Sequence, residues 1–395
     1  MNTSTSLPKP SDDALAHSDQ LVELIRAEIA HSGGAIPFSR YMELALYAPG
    51  LGYYSAGATK FGEAGDFITA PELGSLFADG VAQAVSGLIR DLGSDAAFIE
   101  LGGGSGAFAE DALKRLDELD ALPARYRILE PSAQLRQRQQ ERIAKLDDRL
   151  SSRVEWLNRP PHEPFDGVIF ANEVLDALPT TRFLIHDGEV FEEGIAIDDD
   201  GKLTTARIQT DALVAQAVRG LERNLGVELP DGYTSELLPQ LPYWIQAVCG
   251  GLRRGLALFV DYGYPRREFY LPERSDGTLV CHYRHRAHGD ALHMPGLQDI
   301  TAFVDFTAVA EAGHHAGLDL AGYSSQAQFL LGNGLPQRVE ELLAGADTEA
   351  QYRLTQQVKR LTLPGDMGER FQVMGLSRDI NAEALFATGD RRHRL

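Results

Sequence analysis

Cysteine is almost absent from this chain: Cys249 and Cys281 are the only two in 395 residues. No disulfide framework can hold a chain of this length, and neither a CxxC pair nor a zinc-like Cys/His spacing is present. Basic charge is also short, with 37 Lys and Arg against 57 Asp and Glu, a net charge of −20. Proteins that grip nucleic acid concentrate cations. Only the tail Arg391-Arg392-His393-Arg394 does so here, so nucleic acid is not an expected partner. Long hydrophobic runs are missing as well. The cleanest are as short as Leu256–Val260, whereas a membrane helix needs about 20 apolar residues, and no membrane insertion is expected. Residues Met1–Asp13 lack the apolar core of a signal peptide and the arginines of a transit peptide. With so little cysteine, the expected location is cytoplasmic. The stretch Cys281–His288 is rich in histidine, but Arg284 and Arg286 interrupt it and repel a cation, so no metal is expected.

What is present is an ordinary globular balance, 44% hydrophobic and 24% charged, in a chain long enough for a large core. Leu15, Val22, Ile25 and Ile29 recur at helical spacing ahead of Gly33-Gly34. Residues 47–72 intersperse glycines with Tyr53, Tyr54, Phe61 and Phe67, which reads as an ordered loop wrapped against the fold. Leu76 to Ile89 marks a helix. Five short apolar runs then alternate with helical stretches: 96–101, 126–130, 154–157, 167–172 and 256–261. That alternation predicts an α/β, Rossmann-like sheet, mostly parallel and covered on both faces. Late strands at 318–323 and 371–376 are expected as its antiparallel end. The domain reading is residues 1–75 as N-terminal helices and glycine-aromatic loop, 76–182 as cofactor-binding core, and 183–254 as an insertion. The insertion should hold helices and a hairpin over 183–208 turning at Asp198–Gly201. Residues 255–395 complete the sheet, with 262–295 as a long loop walling a substrate cleft.

The chemistry concentrates where strands end. Glu100-Leu101-Gly102-Gly103-Gly104-Ser105-Gly106 closes the first strand and opens a helix. Glycines there admit a ligand close to the backbone, and a helix N-terminus offers unpaired N–H groups. Gly102-x-Gly104-x-x-Ala107 also fits a dinucleotide fingerprint, so a dehydrogenase is one reading and a plain tight turn another. Glu130, 26 residues after Gly104, can accept both hydroxyls of a ribose. Glu100 separates the alternatives, because a carboxylate before the glycines repels a pyrophosphate and suits the cationic end of S-adenosylmethionine. The fourth strand ends in Asn172-Glu173-Val174-Leu175-Asp176, polar groups at the edge where open α/β sheets bind ligands. Asp176 also admits a lesser reading as the cap of the next helical turn. Asp261, after the fifth strand, reads as a substrate carboxylate or as a turn cap, and His285 as a substrate contact or a solvated side chain.

Nine segments together resemble one family, the MidA family of class I S-adenosylmethionine-dependent methyltransferases, which includes the mitochondrial complex I assembly methyltransferase. They are 38–54 (FSRYMELALYAPGLGYY), 65–72 (GDFITAPE), 100–106 (ELGGGSG), 130–132 (EPS), 171–179 (ANEVLDALP), 260–264 (VDYGY), 277–285 (GTLVCHYRH), 295–306 (PGLQDITAFVDF) and 325–330 (SQAQFL). The likeness runs from Ile36 to Arg378, nearly the whole chain. It implies that Glu100, Gly102, Gly104 and Gly106 border the methionine part of the cofactor, Glu130 the ribose, and Asn172 and Glu173 the reactive end. Asp66, Thr69 and Glu72 would close over the cofactor or the substrate entrance, with loop capping an equal reading for Asp66 and Thr69. Glu173 and Asp176 are the expected catalytic carboxylates.

The activity implied is methylation of an arginine, or another nitrogen, of a protein partner, with a respiratory quinone oxidoreductase subunit as one candidate. A homodimer is allowed for. The rival is an assembly or binding factor that uses the cofactor site structurally, without turnover.

Overall fold

Residues 165–172 are buried almost without a break, and a strand buried on both faces must lie inside a sheet. The computed structural model describes residues 7–55 and 69–395, which divide into two compact units. The larger takes in residues 69–175, 240–265 and 304–395. Its eight-stranded sheet runs in the order Asp319–Ser325, Phe371–Arg378, Leu252–Tyr264, Phe165–Asn172, Ala97–Leu101, Arg125–Leu129 and Val154–Leu157, with Val304–Asp305 pairing Leu252–Tyr264. Phe371–Arg378 is antiparallel to both neighbours. The strands from Leu252–Tyr264 through Val154–Leu157 pair in parallel. The α/β sheet with an antiparallel late strand is therefore as expected.

Register places the chemistry. Leu101 lies opposite both Leu129 and Ala171, and Asn172 lies opposite Val260. Gly102, Glu130, Asn172 and Asp261 therefore lie together at the carboxyl edge of the parallel strands. Beneath them the core includes stacked rings, Phe98 on Tyr126 at 4.9 Å and Phe108 on Phe170 at 4.2 Å. The fifth strand is longer than its apolar run, Leu252–Tyr264 against 256–261. Two ion-pair and hydrogen-bond anchors explain the extension, which hydropathy does not encode. The Arg253 guanidinium grips the Asp166 carboxylate at 2.7 and 2.9 Å, and Arg378 Nη1 donates to Leu252 O at 2.7 Å.

The smaller unit comprises residues 7–55, 176–239 and 266–303 of the described chain. The helix Asp12–His31 starts at Ser11, whose hydroxyl accepts from Ala14 N–H. It buries Leu21, Ile25 and Ile29 in a core shared with Phe38, Tyr41 and Met42 of the Phe38–Tyr47 helix. The expected single hairpin over 183–208 is a three-strand meander, Thr181–His186, Glu189–Ile197 and Leu203–Gln209. An Asp187-Gly188 turn with both φ values positive, 52° and 74°, splits the first arm. Asp-Gly between alternating apolar residues is a two-residue hairpin signal. The loop expected over 262–295 includes a short helix, Arg266–Phe269, and the hairpin Val280–Tyr283 with Arg286–His288, paired to Asp299–Thr301. Exposed His285 sits at the tip of that hairpin with φ +60°.

Within the larger unit, Arg338 of the Leu335–Leu343 helix donates to Asp79 of the Leu76–Leu92 helix at 3.0 Å. Asp79 is buried, and that burial pushes its carboxyl above the ordinary range while Arg338 opposes the shift. Removing one partner strands a buried charge. Arg338→Ala should lower unfolding free energy by about 3 kcal/mol, read in urea melts. Asp79→Leu combined with Arg338→Met should recover part of that loss.

Candidate functional site

The strand Ala97–Leu101 is wholly buried, and Glu100 within it is 3% exposed. A carboxyl there loses its water, and burial pushes it up to about 8. The Tyr126 hydroxyl, which donates to Oε2 at 2.8 Å, works against that rise, whereas the charge of Glu130 adds to it. Glu130 ends the neighbouring strand. Its Oε1 accepts Ser132 N–H at 2.9 Å and its Oε2 accepts the Gln139 amide at 3.2 Å. Burial nevertheless lifts it to about 7.

Between these acids runs the glycine turn. Gly104 has φ +52°, and a Cβ built there would meet nothing within 4 Å. The turn is open on that side. Gly106, φ +82°, begins the Ala107–Glu118 helix, and its Cβ would come within 3.2 Å of Gln139 Cα. Only glycine allows so tight a helix start. Gln139 ties the parts together. Its Nε2 donates to Gly104 O at 3.0 Å and to Glu130, while its Oε1 accepts Trp156 Nε1–H at 2.9 Å. Sequence reading passed over Gln139 because its helix is highly charged. The signal was position, since Gln139 lies between Leu135 and Ile143 in the buried stripe of that helix.

Glu72 meets the same turn, accepting a hydrogen bond from the Ser105 hydroxyl. Thr69 is buried just before the Ala70–Leu73 turn, where its carbonyl accepts Glu72 N–H at 3.0 Å. Asp66 lies outside the described residues. At the end of the fourth strand, Asn172 Nδ2 donates to Glu173 Oε1 at 3.0 Å. Glu173 adopts φ +53°, a left-handed conformation unusual for a residue with a Cβ. Asp176 is 4% exposed and belongs to the smaller unit, where its carbonyl accepts Ala302 N–H at 3.0 Å. No helix follows it, so the capping role has no helix to act on. Glu100, Gly102, Gly104, Gly106, Glu130, Asn172 and Glu173 all fall in the larger unit.

Residues 81–324 match a protein-family model described as "Putative S-adenosyl-L-methionine-dependent methyltransferase". The chain belongs to this methyltransferase family. A solved Burkholderia thailandensis structure, bound to S-adenosyl-homocysteine, is 43% identical over 99% of this chain and all of its own, with a TM-score of 0.92. The Drosophila melanogaster homologue of protein arginine methyltransferase NDUFAF7, mitochondrial, is 29% identical over 93% of this chain and 87% of its own. The Homo sapiens protein of that name is 28% identical over 87% and 80%.

These findings support the methyltransferase reading over both the dehydrogenase and the non-catalytic binding factor. They also correct one expectation. The cytoplasmic location is contradicted, because both of these relatives are named as mitochondrial. Charge and cysteine content describe the folded surface, whereas an address is a separate signal. Among the described residues no helix is long and apolar enough to cross a membrane.

The methyltransferase's carboxyl edge fits S-adenosylmethionine on two observations. Among the described residues, Asn172 Oδ1 is buried and accepts no hydrogen bond, an acceptor suited to a ligand N–H. Beside Gly104 the backbone has room for a ligand where a Cβ would stand. Gly104→Val should fold, at a backbone cost of about 1–2 kcal/mol, yet lose S-adenosylhomocysteine binding by at least a hundredfold in calorimetry.

The raised acids set a pH dependence. The folded-state values of Glu100 and Glu130, about 8 and about 7, lie above the ordinary carboxyl range. Their contribution to stability is full below that ordinary range and is lost as pH rises through 7 and 8. The melting temperature of the ligand-free protein should therefore fall between pH 5 and 8.5, and Glu100→Gln should flatten the fall. A cationic ligand favours the ionised acids, so S-adenosylmethionine affinity should rise over the same range with proton release.

Proposed function

We propose that this methyltransferase transfers the methyl group of S-adenosylmethionine to an arginine, or another nitrogen, of a protein partner. The observation that carries the reading is the likeness to relatives named as protein arginine methyltransferases over most of both chains. In this proposal Glu100, Gly102, Gly104 and Gly106 border the methionine part, Glu130 holds the ribose, and Asn172 faces the reactive end. Asp66 and Thr69 are further candidate cofactor contacts. Bound S-adenosylmethionine supplies an electrophilic methyl group.

The remaining work belongs to the chain, and most of it is alignment and electrostatics. A guanidinium stays protonated at neutral pH and presents a planar fork of donors. In this proposal the Glu173 carboxylate pairs with that fork, holds one nitrogen in position and offsets the positive charge that moves toward it as the N–CH3 bond forms and the S–CH3 bond breaks. The proton on that nitrogen passes to a carboxylate and on to water, and S-adenosylhomocysteine leaves. Asp176 is the other expected catalytic carboxylate. The net charge of −20 draws a basic segment toward the protein. Among acceptors, a subunit of a respiratory quinone oxidoreductase is the one the family resemblance favours.

The test uses methyl-labelled S-adenosylmethionine with arginine-containing peptides and reads methylarginine by mass spectrometry after hydrolysis. Glu173→Gln, whose amide oxygen can still accept from Asn172 Nδ2, should cut turnover by about a hundredfold or more and change S-adenosylhomocysteine affinity far less. Full turnover in that variant removes Glu173 from the reaction. Label on lysine or on a small molecule replaces arginine as the acceptor.

A further inference from the structure

Asp261 lies in the strand beside Asn172, one residue past the Val260–Asn172 pair, and is 1% exposed. Its position allowed a role in holding substrate, but the structure shows its carboxylate engaged with backbone. Oδ2 accepts Val174 N–H at 3.2 Å and Leu175 N–H at 3.0 Å, and Oδ1 accepts Tyr262 N–H at 3.0 Å. Glu173 N–H in turn donates to Val260 O at 3.0 Å. The backbone from 173 to 175 is thus tied at three points to the neighbouring strand, immediately after the strand ends.

What these ties hold is the left-handed turn at Glu173, φ +53°, a conformation that persists only where surrounding contacts impose it. With the backbone turned this way, Glu173 Oε1 accepts Asn172 Nδ2 at 3.0 Å. That bond fixes which end of the Asn172 amide is used inside the protein. The nitrogen is engaged, whereas Oδ1 is buried and accepts nothing among the described residues. A buried acceptor in that condition is costly unless a ligand brings a donor.

We propose that Asp261 is a positioning residue for cofactor capture. Through the Val174 and Leu175 amides it holds the Glu173 turn, and through Glu173 it presents Asn172 Oδ1 to an N–H donor of the cofactor. The donor is the α-ammonium, a nitrogen common to S-adenosylmethionine and S-adenosylhomocysteine. The inference rests on the cofactor and not on arginine as the acceptor.

The test is a double-mutant cycle read by calorimetric titration with S-adenosylhomocysteine, which needs no methyl acceptor. Asp261→Asn places an amide against backbone donors, and Asn172→Ala removes the presented oxygen. Each should weaken binding about tenfold. The double variant should bind about as weakly as Asn172→Ala alone, because both changes cut one chain of contacts. An additive loss of about a hundredfold overturns the proposal, as does wild-type affinity in Asp261→Asn. Hydrogen exchange supplies the second reading. Amides of residues 174–175 should exchange faster in Asp261→Asn and at the native rate in Asn172→Ala, and native protection in Asp261→Asn also overturns it. If Asp261→Asn does not fold, Asp261→Glu, which moves the carboxylate by one methylene, takes its place in the cycle. A wild-type protein that does not bind S-adenosylhomocysteine overturns this proposal together with the cofactor. An intact cycle with no methylarginine formed overturns only the acceptor.

Discussion

Two carboxyls buried beneath a glycine turn are the constraint around which the larger unit is arranged. Glu100 and Glu130 each give up water at the ends of adjacent parallel strands, and burial raises both. That is expensive for stability, and the surroundings limit the expense without removing it. Tyr126 donates to Glu100, and Ser132 and Gln139 donate to Glu130. The Phe98–Tyr126 stack holds the tyrosine ring in place for this bond. A fold selected for stability alone would put apolar residues at both positions. Retaining acids there makes sense for a protein whose ligand carries positive charge.

The same edge of the sheet has a second tier of polar groups, and most of them serve one another. Gln139 spans the glycine turn, Glu130 and Trp156. Asp261 serves the backbone after Asn172, and Ser105 donates to Glu72. These contacts turn a set of strand ends into a surface of fixed shape, as precise positioning requires. The strained turn at Glu173 belongs to that fixed shape.

Much of the sheet was legible from sequence because buried parallel strands are continuous apolar runs separated by helical stripes. Ala97–Leu101 and Phe165–Asn172 are of this kind. The carboxyl edge was legible for a related reason, since Glu100, Glu130, Asn172 and Asp261 put polar groups at or near the ends of apolar runs. What pairing dictates was not legible. Arg253 extends its strand through Asp166, a partner 87 residues away, and nothing local announces it. The Asp187-Gly188 turn was visible but sits in an arm that reads as one strand. Gln139 was passed over, whereas for Asp261 the turn-cap reading agrees with its backbone partners. One is a polar residue in a core position on a charged helix, and the other a carboxylate whose partners are amides with no side-chain signature.

The order of strands has a consequence for how the chain is made. Leu252–Tyr264 lies between Phe165–Asn172 and Phe371–Arg378, so the middle of the sheet waits for residues near the carboxyl terminus. On the ribosome, at about 5–20 residues per second, Phe165–Asn172 emerges well before Leu252–Tyr264, its partner on that side, and Leu252–Tyr264 well before Phe371–Arg378. In each interval the earlier strand has one edge unpaired, a state prone to wrong pairing. A truncation that removes Phe371–Arg378 exposes the long flank of Leu252–Tyr264 while leaving every residue of the glycine turn in the sequence.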